Sequence, residues 1–462
     1  MARGRRAKEG RNSVVNRSLD HKSALEVLTQ YIRIDTSNPP GNEGAAAEYL
    51  SSLLETRSIE YEILQGPGGR PNLVSRLRSG KDPSNAICLM HHMDVVPVDE
   101  SRWLHDPFGG EVIAGELWGR GALDTKSLGI MHLWAFLYAA EAVAAGSADL
   151  QRDLLFVAVA DEEEGGACGA EWITAEHWEQ VQCHEMLTEG GFGVASVLPG
   201  LDGFFCAVTE KSAVWLELEA QAASGHGGIP PDEQALENLL LCIGKIKSRN
   251  RRFRVIDEIR HLYAALSEQA RGPQRAVLKA IANPGGSAIL PLVSHRLSRP
   301  QKALLKDLVS VTILQAGYKP NVVPGTAKAT LDCRLLPDIN PRDFVEDVRR
   351  IAERYGVSVR VIFESTPHGS SPRGELFDAL EESSRIAAPD SMFAASIATG
   401  FTDSRFWRKK GTKCFGLTPA IVSMELIETI HGENERIPVA EFERGLEVVR
   451  AAVEKLALMK SE

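Results

Sequence analysis

The stretch LLFVAVADEEEGG, from Leu154 to Gly166, constrains this chain more than any other. An unbroken apolar run ends in four consecutive carboxylates, Asp161, Glu162, Glu163 and Glu164, and a glycine pair follows. Apolar residues without alternation read as a strand buried on both faces, as in the middle of a parallel sheet. Loops at the C-terminal ends of such strands are where open α/β sheets bind ligands. Adjacent carboxylates repel, so a buried cluster needs compensating positive charge. A divalent metal would supply it; for this segment alone, a solvated acidic loop explains the pattern equally well.

Other apolar runs end in ligand-type residues too. Ala86 to Met90 leads into His91, His92, Met93 and Asp94. His92 can offer one ring nitrogen to a metal, while Asp94, two residues on, accepts a hydrogen bond from the other and fixes the tautomer. His91 competes by register but has no partner at that spacing. In Gly119-Arg120-Gly121-Ala122-Leu123-Asp124, the acid opens an apolar helix expected over Ser127 to Ala144, either as a ligand or as a simple N-cap. The run His184 to Leu187 leads to Glu189 and a glycine pair, and His431 lies in a polar turn, 430–436, before the last helix. Histidines with carboxylates and no paired cysteines suit catalytic zinc, cobalt or manganese rather than a structural zinc site. Charge balance favours two divalent ions. Asp124, Glu163, Glu189 and one hydroxide would cancel them, leaving Glu162 as a spare base.

Taken together, these residues resemble the co-catalytic zinc amidohydrolase family of aminoacylase-1, glutamate carboxypeptidase, succinyl-diaminopimelate desuccinylase and carboxypeptidase S. The resemblance runs from Ile34-Asp35-Thr36-Ser37-Asn38-Pro39-Pro40-Gly41 to the terminal helix. It rests on H-x-D-V-V-P at His92–Pro97, W-x-x-D-P-F at Trp103–Phe108, G-R-G-x-x-D at Gly119–Asp124 and D-E-E-x-G at Asp161–Gly165. It implies that Asp124 bridges two metals, that His92 and Glu189 complete one site, and that Glu163 and His431 complete the other. It makes Glu162 the general acid/base, Asp94 the residue orienting His92, and the Asp124–Thr125 peptide cis. Two departures stand out: Thr125 where many members carry Asp, and Glu189 where some carry Asp.

The resemblance also implies roles farther along the chain. His226 would stabilise the developing oxyanion, often from a partner subunit. Asn321 would position substrate, and Arg334 would grip the substrate's free carboxylate with its bidentate fork. The long, helix-rich stretch between His226 and Asn321 is similar to the carboxypeptidase S and N-acyl-amino-acid hydrolase branch. The implied reaction is metal-dependent hydrolysis of an amide bond in an N-acyl amino acid or small peptide, releasing an amino acid. A dipeptidase or aminopeptidase of the same architecture and a non-catalytic binding protein are the alternatives; Arg334 argues against the aminopeptidase and the filled site against the binding protein.

The expected fold class is α/β: a catalytic domain with a central, mostly parallel sheet flanked by helices, plus an inserted α+β lid and dimerisation domain. The expected divisions are a disordered basic tail (1–18), the catalytic domain (19–206 and 368–462) and the insert (207–367). Alternating strands in the insert suggest an exposed sheet edge and a homodimer, with a monomer as the alternative. A net charge of −10 argues against nucleic acid or an anionic membrane as partner. No segment is expected to span a membrane. Seven scattered cysteines read as reduced thiols of a cytoplasmic protein.

Overall fold

The computed structural model describes residues 19–249, 252–366 and 368–460. The basic tail expected over 1–18, and Pro367 at the expected end of the insert, lie outside them.

An eight-stranded sheet forms the centre, in the order Glu62–Gln65, Pro71–Leu77, Leu154–Val159, Ile87–His92, Glu185–Leu198, Lys413–Val422, Leu201–Glu210, Met392–Ala398. The four middle strands run parallel, and antiparallel pairings flank them. The apolar runs read from the sequence are these middle strands. Along Leu154–Val159, Leu154, Phe156 and Ala158 enter one core while Leu155, Val157 and Val159 enter the other. Helices therefore cover both faces. His21–Ile32, Glu43–Glu55, Lys126–Ala144, Glu375–Ala387 and Val439–Ala457 lie on one side; Ala170–Glu176 and Ser404–Lys409 lie on the other.

The helix Lys126–Ala144 is long and apolar enough, by length and composition only, to cross a membrane. Its apolar character is used internally, since residues on all its sides are buried. It approaches Ile87–His92 so closely that a Cβ on Gly129 would lie 2.3 Å from the His91 ring.

The lid sheet is antiparallel, in the order Leu308–Ala316, Thr326–Leu335, Ser212–Gln221, Val357–Glu364. Helices Ala235–Arg249 and Pro341–Glu353 pack on it. The second starts where Asn340 accepts a hydrogen bond from Arg342 N and Pro341 occupies the first turn. Its buried Phe344, Val348 and Ile351 then recur at helical spacing.

Two expectations are corrected. The boundary at 207 falls inside Leu201–Glu210, so the chain leaves the central sheet at Lys211. The insert is also not one packing unit. Helices Asp257–Gln269 and Gly272–Ala282 bury Ile259, Leu262, Tyr263 and Ile281 against Met392, Ala394 and Ile397 of the central sheet's edge strand. Ahead of the first of these helices the chain crosses in an extended conformation, with Arg254 N donating to Leu305 O and Val255 N to Ser287 Oγ.

Candidate metal centre and active site

The DEEE run does not enter the centre as a block. Asp161 adopts a left-handed conformation (φ 72°), which turns the chain sharply after the strand. Its carboxylate is claimed by Arg70 (3.3 Å) and by Cys168 N (2.9 Å). Glu162 and Glu163 enter a short helical turn and face inward, while Glu164 points to solvent.

Of the neighbouring histidines, His91 turns into the core, 3.3 Å from the Tyr31 hydroxyl, and burial depresses its pKa. Strand alternation sends His92 the other way. His92 Nε2 lies 3.0 Å from Asp124 Oδ1 and 3.6 Å from Glu189 Oε2. On the far side of Asp124, His431 Nε2 lies 3.1 Å from Asp124 Oδ2 and 3.2 Å from Glu163 Oε2. The two oxygens of Asp124 thus serve two separate triads, His92–Asp124–Glu189 and Asp124–Glu163–His431. Tetrahedral bonds of about 2.0–2.1 Å set neighbouring donors roughly 3.3 Å apart, so both triads fit a divalent ion. The Asp124–Thr125 peptide is cis, as expected.

Glu189 is not at a strand end, as the sequence suggested. It lies within the long strand Glu185–Leu198, which continues into a hairpin with Leu201–Glu210. Its neighbour Ile87–His92 pairs with that strand only as far as Leu187, which leaves Glu189 free to face His92.

Asp94 orients His92 differently from the expected way. The His92 Nδ1 contact is to the Asp94 backbone carbonyl at 2.9 Å; the carboxylate is at 3.5 Å. The carboxylate is occupied by the base loop, accepting from Glu162 N (3.2 Å), Glu163 N (3.1 Å) and Asn38 Nδ2 (2.8 Å). One fully buried acid therefore fixes the histidine and both glutamates together.

The electrostatics follow from burial and crowding. Burial pushes Glu162 well above the usual carboxyl range, and Glu189 and Glu163 add to it. Burial likewise carries Glu189 up to about 7. At His431 burial works the other way, but hydrogen bonds to Asp124 and Glu163 outweigh it and raise the imidazole to about 11. His92 is raised well above its ordinary value in the same manner, by Glu189 and Asp124. A ligating histidine must be neutral, so loading divalent ions near neutral pH is expected to release protons, and affinity to rise with pH there. Titration calorimetry in two buffers of different ionisation enthalpy checks this; equal heats would show both histidines already neutral.

His226 and Asn321 sit together on the lid, where Gly227 N donates to Asn321 O (2.9 Å) and His226 pairs with Val322. His226 is exposed, and among the described residues neither it nor Asn321 bonds to the carboxylate cluster. Arg334 forms a bidentate pair with Asp332 (2.8 and 3.2 Å) and lies over the Phe401 ring at 5.1 Å.

Sequence reasoning gave no role to two buried acids. Asp403 is 1% exposed, neither of its oxygens has a hydrogen-bond partner among the described residues, and burial raises it to about 8. Gly166 makes room for it, since a Cβ there would lie 2.4 Å from Asp403 Oδ1. Glu435 is fully buried beneath the Asp124 loop. Glu435 belongs to the polar turn 430–436 that stood out in the sequence, but a carboxylate that bonds backbone has no spacing signature, and Asp403 carries no sequence signal of its own.

A mostly parallel sheet carrying two triads that share one carboxylate defines a dinuclear metallohydrolase. Residues 88–455 match Peptidase family M20/M25/M40, and the chain belongs to that family. It is 27% identical over 441 residues to the N-fatty-acyl-amino acid synthase/hydrolase PM20D1 of Homo sapiens, covering 91% of this chain and 85% of that one. It is 27% identical over 384 residues to the probable carboxypeptidase S-like 2 of Dictyostelium discoideum (81% and 72% covered). With aminoacylase-1 of Sus scrofa the identity is 26% over 448 residues (95% and 96% covered). The fold is similar to the M20 metallo-carboxypeptidase Sso-CP2 of Sulfolobus solfataricus, with TM-score 0.71, 16% identity and 93% and 98% of the two chains covered. It is also similar to the dinuclear metal-binding M20 peptidase YXEP of Bacillus subtilis, with TM-score 0.58, 15% identity and 94% and 98% covered.

Proposed function

We propose that this chain hydrolyses N-acyl amino acids or small peptides that end in a free carboxylate, releasing an amino acid. The sharing of Asp124 between two triads, with Glu162 buried beside them, carries the reading. The donor set of imidazole and carboxylate suits zinc, with cobalt or manganese as alternatives. His92, Asp124 and Glu189 would hold one ion, and Asp124, Glu163 and His431 the other. Bound there, the ions would polarise the scissile carbonyl and make water acidic enough to attack.

The protein's own groups do the rest. Glu162 takes the proton of the attacking water and returns it to the leaving amine. Asp94 keeps Glu162 in place through its peptide N–H. Arg334 grips the substrate carboxylate, and Asn321 positions the substrate. A panel of N-acyl amino acids and dipeptides, assayed with added zinc, cobalt or manganese, tests the reading; an absence of metal-dependent turnover across the panel would overturn it.

We also propose a homodimer through the lid. Leu308–Ala316 is an exposed edge strand, and Val311, Ile313 and Leu314 on it are 37%, 50% and 51% exposed. Leu240 and Leu241 on the adjoining helix are similarly open. An apolar unpaired edge of this kind pairs readily with a second copy. In such a dimer, His226 would act on the partner's substrate, stabilising the oxyanion. Mixing inactive Glu162→Gln and His226→Ala chains under subunit exchange is then expected to restore about a quarter of wild-type turnover, because one site of each mixed dimer is intact. No recovery would place His226 in cis. That all seven cysteines are free supports a reducing, cytoplasmic location.

A further inference from the structure

We propose that Glu435 and Arg120 form a positioning pair that sets the Asp124 and His431 loops against each other. The inference rests on the metal-centre reading above.

Both loops leave their ligand weakly held by the local chain. Asp124 precedes the helix Lys126–Ala144, and His431 follows the short helix Met424–Ile427 with a left-handed backbone (φ 59°). The His431 side chain is 53% exposed, so packing does not fix it. Glu435 supplies the missing constraint. Its Oε1 accepts from Leu123 N (2.7 Å) and from the peptide N–H of Asp124 itself (3.1 Å). Its Oε2 pairs with Arg120 Nη1 at 2.6 Å. Arg120 then donates from Nη2 to Gly432 O at 2.7 Å, one residue past His431.

A backbone bond from Gly119 N to Glu435 O (3.0 Å) closes the same joint. The guanidinium lies over the Trp103 ring at 5.3 Å, and Arg120 and Glu435 are 2% and 0% exposed. Buried pairs of this kind lose their balance when one partner is removed, because the other charge is left uncompensated. A single carboxylate thus holds the peptide of the shared ligand and, through Arg120, the peptide next to the terminal histidine. Neither residue touches the ion positions; both act on where Asp124 and His431 point.

Partners of this kind typically set metal affinity by 10–100-fold. The test is cobalt(II) titration of the purified full chain, freed of metal by chelator. It is followed by visible absorption and by chelator competition, with circular dichroism to confirm folding. Glu435→Ala is expected to weaken cobalt affinity by about 10–100-fold and to alter the absorption band. Glu435→Gln keeps an acceptor for the two peptide N–H groups, so it is expected to recover part of that loss. The double variant Glu435→Ala, Arg120→Ala is expected to bind no more weakly than the weaker single variant, since the pair acts as one unit. If Glu435→Ala does not fold, Glu435→Gln and Arg120→Lys carry the test, each with a measurable loss of affinity expected. Wild-type affinity and spectrum in folded variants would overturn the pair, as would fully additive losses. Failure of the wild-type chain to bind cobalt at all would overturn the metal-centre reading beneath it.

Discussion

Glu162→Gln is expected to cut turnover by at least about 10²-fold while leaving metal content unchanged. Glutamine keeps the shape and the inward direction of the side chain but cannot accept the proton of the attacking water. The peptide N–H of Glu162 stays bonded to Asp94, so the loop has no reason to move. His431 faces Glu163, not Glu162, so that triad keeps its donors. Turnover of an N-acyl amino acid, measured beside metal content by elemental analysis, separates the two effects. Near-normal turnover would assign the base elsewhere. Asp403, buried, without a hydrogen-bond partner among the described residues and raised to about 8, is the carboxyl to replace next.

Arg334→Ala is expected to lower kcat/KM for free-acid substrates by about 10²-fold, and far less for the matching amides. The structure adds a condition that the sequence did not suggest. The fork of Arg334 is already engaged by Asp332, two residues away on the same face of the strand. A substrate carboxylate must share the guanidinium with Asp332 or displace it. Asp332→Asn is therefore the informative companion, since it frees the fork without removing it. Equal losses on acids and amides in Arg334→Ala would mean that Arg334 braces the lid against Phe401 and does not select substrate.

Much of the centre could be read in advance because its residues cluster at punctuation points of the sequence. His92, Asp124 and Glu163 follow directly on apolar runs or glycine turns, and each such break marks a strand end or helix start in an α/β fold. His92 was separable from His91 by its spacing to Asp94, and strand alternation then gives the physical reason, sending His91 into the core and His92 to the opposite face. Glu189 was found for a partly wrong reason. Its glycine pair looked like the end of a strand, yet the chain runs on through Gly190 at φ 119° into a longer strand. The helix-rich character of the stretch between His226 and Asn321 was legible, but amphipathic spacing shows only that one face is buried. It does not say against which domain.

Those helices have a mechanical consequence. The chain crosses between lid and catalytic core four times, not twice. It enters the lid after Glu210, returns to the core edge for residues 253–305, re-enters the lid at Leu308, and leaves it after Glu364. Arg254 ties the returning segment to Asp307 and Asp338 beside the lid's own strands. A door hung on two adjacent hinges swings freely; one also strapped to the frame along its far side turns through a shorter arc. Separating the two bodies would also strip Ile259, Leu262 and Tyr263 from Met392 and Ile397, so lid and core are expected to unfold on heating in one calorimetric transition, and two resolved transitions would show them independent.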